Sequence, residues 1–213
     1  MCLDAPRLGV LGGSFDPVHA GHLGAARLAR RAFELDHVVF VPAARPPHKP
    51  GCRLAAGEHR LAMLARALRG EPGTSSWDVE LRREGPSFTV DTLRELVRRR
   101  GHPGGLHLIV GRDNLAGLPS WREVEEVLAL AQPVVVQRGG DPAALERALA
   151  RLEGRLSGAA LARLQAGLVR EAPPAVAATE LRSRLARGED PGADLPPGVW
   201  EYARSRGIYG GAP

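Results

Sequence analysis

Residues 8–33 read LGVLGGSFDPVHAGHLGAARLARRAF, and the order of residue types in this stretch decides the fold. Leu8 to Leu11 is an apolar run too short for a helix, ended by Gly12 and Gly13. From His22 to Phe33 the residues Leu23, Ala26, Leu28 and Ala32 recur at helical spacing. A strand, a glycine loop and a helix therefore follow one another, and the pattern repeats downstream. HVVFVP (37–42) is a β-branched run, followed by a Pro-rich basic loop and a helical stretch from Glu58 to Leu68. A helix from about Val90 to Arg100 leads into LHLIV (106–110), which Gly105 and Gly111 bound. Trp121 to Leu130 reads as helix, PVVVQ (133–137) as strand and Pro142 to Leu152 as helix. The tail from Pro173 reads as a strand and two short helices, Glu180 to Arg187 and Pro197 to Arg206. Near-continuous apolar strands between amphipathic helices require a parallel sheet covered on both faces, with right-handed crossovers. The predicted class is α/β. In such open sheets ligands bind beyond the carboxyl ends of the strands, which selects the loops after Leu11, Val41, Val110 and Val136.

At 213 residues the chain suits one domain, 1–213, with a C-terminal helical portion from about 177 packed on it. Met1 to Arg7 carries Asp4 and Pro6, unlike a signal peptide, and no uncharged run approaches the roughly 20 residues of a membrane span. Cys2 and Cys52 lack metal-ligand spacing, so a cytoplasmic protein with no membrane partner is expected. The net charge of +5 raises the question of nucleic acid. However, Arg27, Arg30, Arg31, Arg66, Arg69 and Arg98 to Arg100 lie on helical segments, many with acidic neighbours, and aromatics are too few for a stacking surface. A solvated arginine-rich surface with no nucleic-acid partner is the expectation. The only lysine, Lys49, stands in RPPHKP (45–50).

Gly12 and Gly13 sit where exposed backbone N–H groups and the positive end of a helix can hold an anion. Neither GxGxxG nor GxxxxGK[ST] is present. Instead His19 and His22, three residues apart at the mouth of the helix, place two imidazoles near one side of its first turn, beside Ser14 and the turn Asp16-Pro17. Metal binding by this pair is allowed by spacing, but no cysteine or third histidine lies in sequence reach, so no protein metal site is expected. Pro46 and Pro47 stiffen the loop that presents His48 and Lys49. Thr179 reads as the N-cap of the helix that carries Arg182, and Gly188 as its stop.

GGSFDPVHAGH (12–22) resembles the HxGH signature of a nucleotidyltransferase superfamily, in the version found in bacterial nicotinate-nucleotide adenylyltransferases. PPHK (46–49), GPSFTVDTL (85–93), Gly111-Arg-Asp113 with Trp121 downstream, and TELR (179–182) follow in the order of that family, so the likeness spans nearly the whole chain. The resemblance implies a Rossmann-like open parallel sheet with helices on both faces. It implies that ATP is held by Gly12, Gly13, Ser14, Phe15, His19, His22, Gly111, Asp113, Thr179 and Arg182. Nicotinate mononucleotide would be held by Ser14, His48, Lys49, Thr89 and Trp121, with Trp121 against the pyridine ring and Thr89 at the nicotinate carboxylate. The chain departs from the family at Ala177 and Ala178, in place of serines, and at Ala43 and Ala44, where relatives often carry asparagine.

The implied reaction is adenylyl transfer from ATP to nicotinate mononucleotide, a step of NAD biosynthesis, with His19, His22, Lys49 and Arg182 stabilising charge and Mg²⁺ arriving with ATP. Another HxGH nucleotidyltransferase, using nicotinamide mononucleotide or phosphopantetheine or transferring a cytidylyl group, is the nearest alternative. A basic nucleic-acid-binding module is the alternative of a different class. A homo-oligomer is neither required nor excluded.

Overall fold

The computed structural model describes residues 2–47, 54–137, 139, 141 and 143–210. Six parallel strands form one sheet: β1 (Leu8–Gly13), β2 (His37–Pro42), β3 (Thr74–Ser76), β4 (Leu106–Gly111), β5 (Gln132–Val136) and β6 (Leu168–Val169). Their order is β3-β2-β1-β4-β5-β6. Leu8 pairs with His37 on one side and Leu106 on the other, so β1 is central. The chain winds outward from β1 through β2 to β3, then returns to β4 and winds the other way. The reversal lies between β1 and β4, and their carboxyl ends border the crevice that ligands occupy in doubly wound sheets.

Alternation along the strands feeds two cores, because successive strand side chains point to opposite faces. Leu8, Val10, Val39, Val41, Leu108, Val110 and Val135 face one core. There they meet α4 (Thr89–Arg100), α5 (Val124–Leu130), α6 (Ala143–Ala150) and α7 (Gly158–Ala166). Leu11, Val38, Phe40, Ile109, Val134 and Val136 face the other. That face is covered by α1 (Ala20–Phe33), α2 (Gly57–Ala67), α8 (Ala178–Ala186) and α9 (Val199–Ser205). The short α3 (Val79–Arg82) follows β3. The observed architecture is the Rossmann-like α/β sheet expected, with helices on both faces. Gly9 permits its density: a Cβ there would lie 2.8 Å from Leu35 Cδ1 and 3.0 Å from Ile109 Cδ1.

Three local expectations are corrected. The strand of the tail is Leu168–Val169, before Pro173; two consecutive prolines at 173 and 174 lack the N–H groups a ladder uses. Trp121 does not begin a helix. It ends a 3₁₀ stretch, Arg112–Ser120, that contains Pro119, and the left-handed Glu123 (φ 52°) precedes the start of α5 at Val124. Thr179 is not an N-cap. Ala177 occupies that position, and its carbonyl accepts from Leu181 N at 2.9 Å. Among the described residues no helix is long and apolar enough to cross a membrane.

Candidate active site

The segment between β1 and α1 is the centre of the site. Phe15 within it has φ 50°, a left-handed conformation that costs a non-glycine residue about 1–2 kcal/mol. Its ring is buried, tilted against Phe40 at 5.7 Å and edge-on to His22 at 5.0 Å. Phe15 thus has only its backbone to offer a ligand on this loop. The carbonyls on either side of it are both held by arginine. Arg60 Nη1 donates to Ser14 O at 2.7 Å, and Arg182 Nη1 donates to Asp16 O at 2.9 Å.

The Asp16 side chain, 3% exposed, accepts Tyr209 Oη at 2.6 Å and Ala55 N at 3.2 Å. Burial, reinforced by the Asp16 charge and their hydrogen bond, pushes the Tyr209 phenol well above its usual range, so it stays a donor. Burial pulls the Arg60 guanidinium down, with Asp16 acting against the shift. Arg60 also donates through Nε to Ala55 O at 2.9 Å, closing the ring of contacts.

His19 is the N-cap of α1 and is 6% exposed. Its ring stacks on that of His22 with centroids 3.7 Å apart and planes at 30°. The His19 backbone N–H donates to His22 Nδ1 at 3.3 Å. An acceptor at Nδ1 leaves the ring proton of neutral His22 on Nε2, a donor on the far side of the ring. The expected pair is therefore assembled, with one histidine fixing the tautomer of the other.

The loop after β2 is tied to the same segment, Ala43 N donating to Gly13 O at 2.9 Å. Ser87 Oγ accepts from the backbone N–H groups of Ala44 and Arg45 at 2.9 and 3.2 Å. Nearby, the buried Glu80 carboxylate accepts Thr92 Oγ1 at 2.6 Å. Burial raises the Glu80 carboxyl, and hydrogen bonding pulls it back. This loop leads to His48 and Lys49, which lie outside the described residues. Ala44, Arg45, Gly57, Arg60, Arg83 and Gly85 are among the residues lining a cavity of about 860 Å³ beside it.

Thr89 opens α4 directly after Phe88. The Arg122 guanidinium lies 4.9 Å from the Phe88 ring centroid, so the chain around Trp121 packs beside Thr89. Arg94 of α4 fastens that contact through ion pairs with Glu123 and Glu126. Gly111 ends β4, and Asp113 follows on the exposed start of the 3₁₀ stretch, with Arg112 Nη2 3.6 Å from its carboxylate. Both lie at the carboxyl edge beside the glycines of β1. Thr179 and Arg182 share the first turns of α8, where Arg182 Nη2 donates to Thr179 Oγ1 at 3.3 Å.

The structure thus joins Gly12 to His22 with Arg182, and Thr89 with the Trp121 region. Asp16, Arg60, Ser87, Glu80 and Tyr209 were missed as site residues. Asp16 read as a turn and Arg60 as one more arginine on a helix; nothing local marks Tyr209. Among the described residues no group of three or more His, Cys, Asp or Glu side chains forms a metal cluster.

A cytidylyltransferase-like family model matches residues 10–184. A protein named probable nicotinate-nucleotide adenylyltransferase from Aeromonas hydrophila is 42% identical, covering 96% of this chain and 97% of its own. One of the same name from Thermomicrobium roseum is 38% identical, covering 95% and 91%. Among solved structures, Plasmodium falciparum nicotinic acid mononucleotide adenylyltransferase complexed with NaAD superposes with a TM-score of 0.66 at 17% identity, covering 95% of this chain and 97% of that one. This last likeness shows the shared fold.

Proposed function

The chain belongs to the cytidylyltransferase-like family and, within it, to the nicotinate-nucleotide adenylyltransferases, and from that membership we propose that it transfers the adenylyl group of ATP to nicotinate mononucleotide, giving nicotinate adenine dinucleotide and pyrophosphate. One observation carries the assignment of roles: Arg182 reaches back across 166 positions to the Asp16 carbonyl of the segment that carries the stacked His19 and His22. Three cationic or N–H-donating side chains from opposite ends of the sequence thereby converge on the one loop that joins β1 to α1, which suits a polyanion.

The mononucleotide phosphate is already an anionic nucleophile at neutral pH, so no activated serine or cysteine is required. Holding it in line with the α-phosphorus of ATP makes the encounter effectively unimolecular. His22 Nε2–H and His19 donate to oxygens of the triphosphate, and Arg182 follows the charge that accumulates on the departing pyrophosphate. Gly12, Gly13, Ser14 and Phe15 supply backbone donors; Gly111 and Asp113 border the adenosine side; Thr179 orients Arg182. Lys49 and His48 extend the donor set toward the phosphate of the mononucleotide, whose pyridine ring and carboxylate fall to Trp121 and Thr89. Mg²⁺ enters with ATP as part of the substrate and neutralises its phosphates. The reading places the protein in the cytoplasm, as one domain without nucleic-acid or membrane partners.

The test supplies ATP and Mg²⁺ with nicotinate mononucleotide, nicotinamide mononucleotide or phosphopantetheine and follows pyrophosphate release. Turnover with the nicotinate form is expected to dominate. Release with phosphopantetheine alone, or with none of the three, refutes the proposal. His22→Ala is expected to lower kcat far more than it weakens ATP binding; near-normal kcat removes His22 from catalysis.

A further inference from the structure

The Asp16 carboxylate, central and buried, has no part in the chemistry above. Its partners come from two distant places: Tyr209 Oη near the end of the described chain, and the Ala55 N–H ahead of α2. Arg60 ties the Asp16 loop to the segment ahead of α2 by holding both Ser14 O and Ala55 O. The left-handed Phe15 therefore lies between two carbonyls gripped by Arg60 and Arg182, with the next residue clamped by its side chain. Tyr209 itself packs against the core that α1, α2, α8 and α9 share.

We propose that Tyr209 is a positioning residue: through its hydrogen bond to Asp16 it holds residues 12–22 in their substrate-ready conformation and thereby sets the placement of His19, His22 and Arg182 on the triphosphate. The role rests on the adenylyl-transfer reading only for its kinetic consequence. Its structural consequence, order in the loop, is independent of the acceptor. Tyr209 acts through Asp16, because Asp16 lies between it and both the left-handed residue and the carbonyl that Arg182 holds.

The full-length enzyme is compared with Tyr209→Phe, which keeps the ring and loses the donor, and with Tyr202→Phe on α9, which loses the hydrogen bond to His59 of α2. Tyr209→Phe is expected to lower kcat on the order of tenfold, as loss of a hydrogen bond to a charged group allows, with KM for the mononucleotide little changed. Amide hydrogen exchange in 12–23 accelerates, exchange in β4 and β5 does not, and Tyr202→Phe behaves as wild type. In an Arg182→Ala background the Tyr209→Phe change is expected to cost much less than alone. Unchanged exchange in 12–23, equal acceleration in β4 and β5, an equal defect in Tyr202→Phe, or fully multiplicative losses each overturn the proposal. If the wild type fails to turn over nicotinate mononucleotide, the acceptor reading falls; accelerated exchange confined to 12–23, with weakened ATP binding, then still upholds the positioning role, and its absence still ends it.

Discussion

Gly21→Ala isolates the geometry of the histidine pair from overall stability. A Cβ at this position would lie 2.9 Å from Pro174 O, 3.1 Å from His19 Nδ1 and 3.2 Å from His19 Cε1. Pro174 O is backbone and cannot rotate away, and His19 is confined by its stack on His22. Something must move by several tenths of an ångström, and overpacking of this kind costs about 1–3 kcal/mol. Alanine in a helix recovers about 1 kcal/mol relative to glycine. The net loss is roughly 0–2 kcal/mol, which lowers Tm by less than about 8 °C in a chain of this size. Catalysis is less forgiving, because a displacement near 1 Å can cost about a hundredfold. Moving Pro174 also disturbs the chain entering α8, and with it Arg182. The expected outcome is a fall in kcat/KM for ATP of at least about tenfold, with a modest Tm change, measured by pyrophosphate release and thermal melting. Gly24→Ala meets the same prolines, 2.7 Å from Pro174 Cδ and 2.8 Å from Pro173 Cβ, one turn away from the histidines. It should match Gly21→Ala in Tm and lose less activity. Equal kcat/KM in wild type and Gly21→Ala refutes the reasoning.

Ser87→Ala strips the acceptor from the backbone N–H groups of Ala44 and Arg45, with an expected loss of about 1–3 kcal/mol and a raised KM for the mononucleotide; chemical denaturation and initial rates check both. Arg94→Ala releases Glu123 and Glu126 and should raise KM for the mononucleotide with little change in KM for ATP or in Tm, since its ion pairs are solvent-exposed. The pH dependence of stability follows from groups whose protonation shifts on folding. Burial lowers both His37 and His107 from 6.5, so the unfolded chain binds more protons below that value and stability is lost as pH falls through it. Glu80 is raised above 4.5, so its ionisation opposes folding and its contribution diminishes as pH rises. His107→Gln should flatten the decline of Tm between pH 7 and about 5, read by thermal melting.

Motif residues were legible because their chemistry is local. His19 and His22 need only their own spacing and the strand ahead of them, and β1, β2, β4 and β5 announce themselves as apolar runs. The edge strands do not. Thr74–Ser76 is polar and Leu168–Val169 has two residues, and each becomes a strand only by pairing, Val38 with Thr74 and Val135 with Leu168. The α7 helix was overlooked although Ser157 Oγ accepts from Ala160 N at 3.1 Å, an N-cap that the sequence does display. Residues that shape the site through burial were illegible for a different reason. Arg60, Glu80 and Tyr209 belong to types that ordinarily face water, and only the tertiary fold brings them to buried partners.

The same burial explains why an unfavourable backbone conformation persists at Phe15. Left-handed φ costs about 1–2 kcal/mol there, and each guanidinium bond to a flanking carbonyl contributes about 1.5–3 kcal/mol. Two such bonds outweigh the strain with either end of the range. A guanidinium carries five N–H donors, and Arg182 commits one at Nη1 to Asp16 and one at Nη2 to Thr179, which leaves donors for the phosphate contacts proposed above. It need not abandon the loop to bind substrate. Its contacts to Asp16 O and Thr179 Oγ1 restrain the side chain within the protein itself, which reduces the roughly 0.5–1.5 kcal/mol of immobilisation that an arginine otherwise loses on binding. Arg182→Lys retains the charge but not the fork, and a point charge cannot hold Asp16 O, Thr179 Oγ1 and a phosphate together. The substitution should therefore lower kcat nearly as far as Arg182→Ala in the pyrophosphate assay. Recovery of most of the activity by lysine would show that charge alone suffices and that the contact to the loop is incidental.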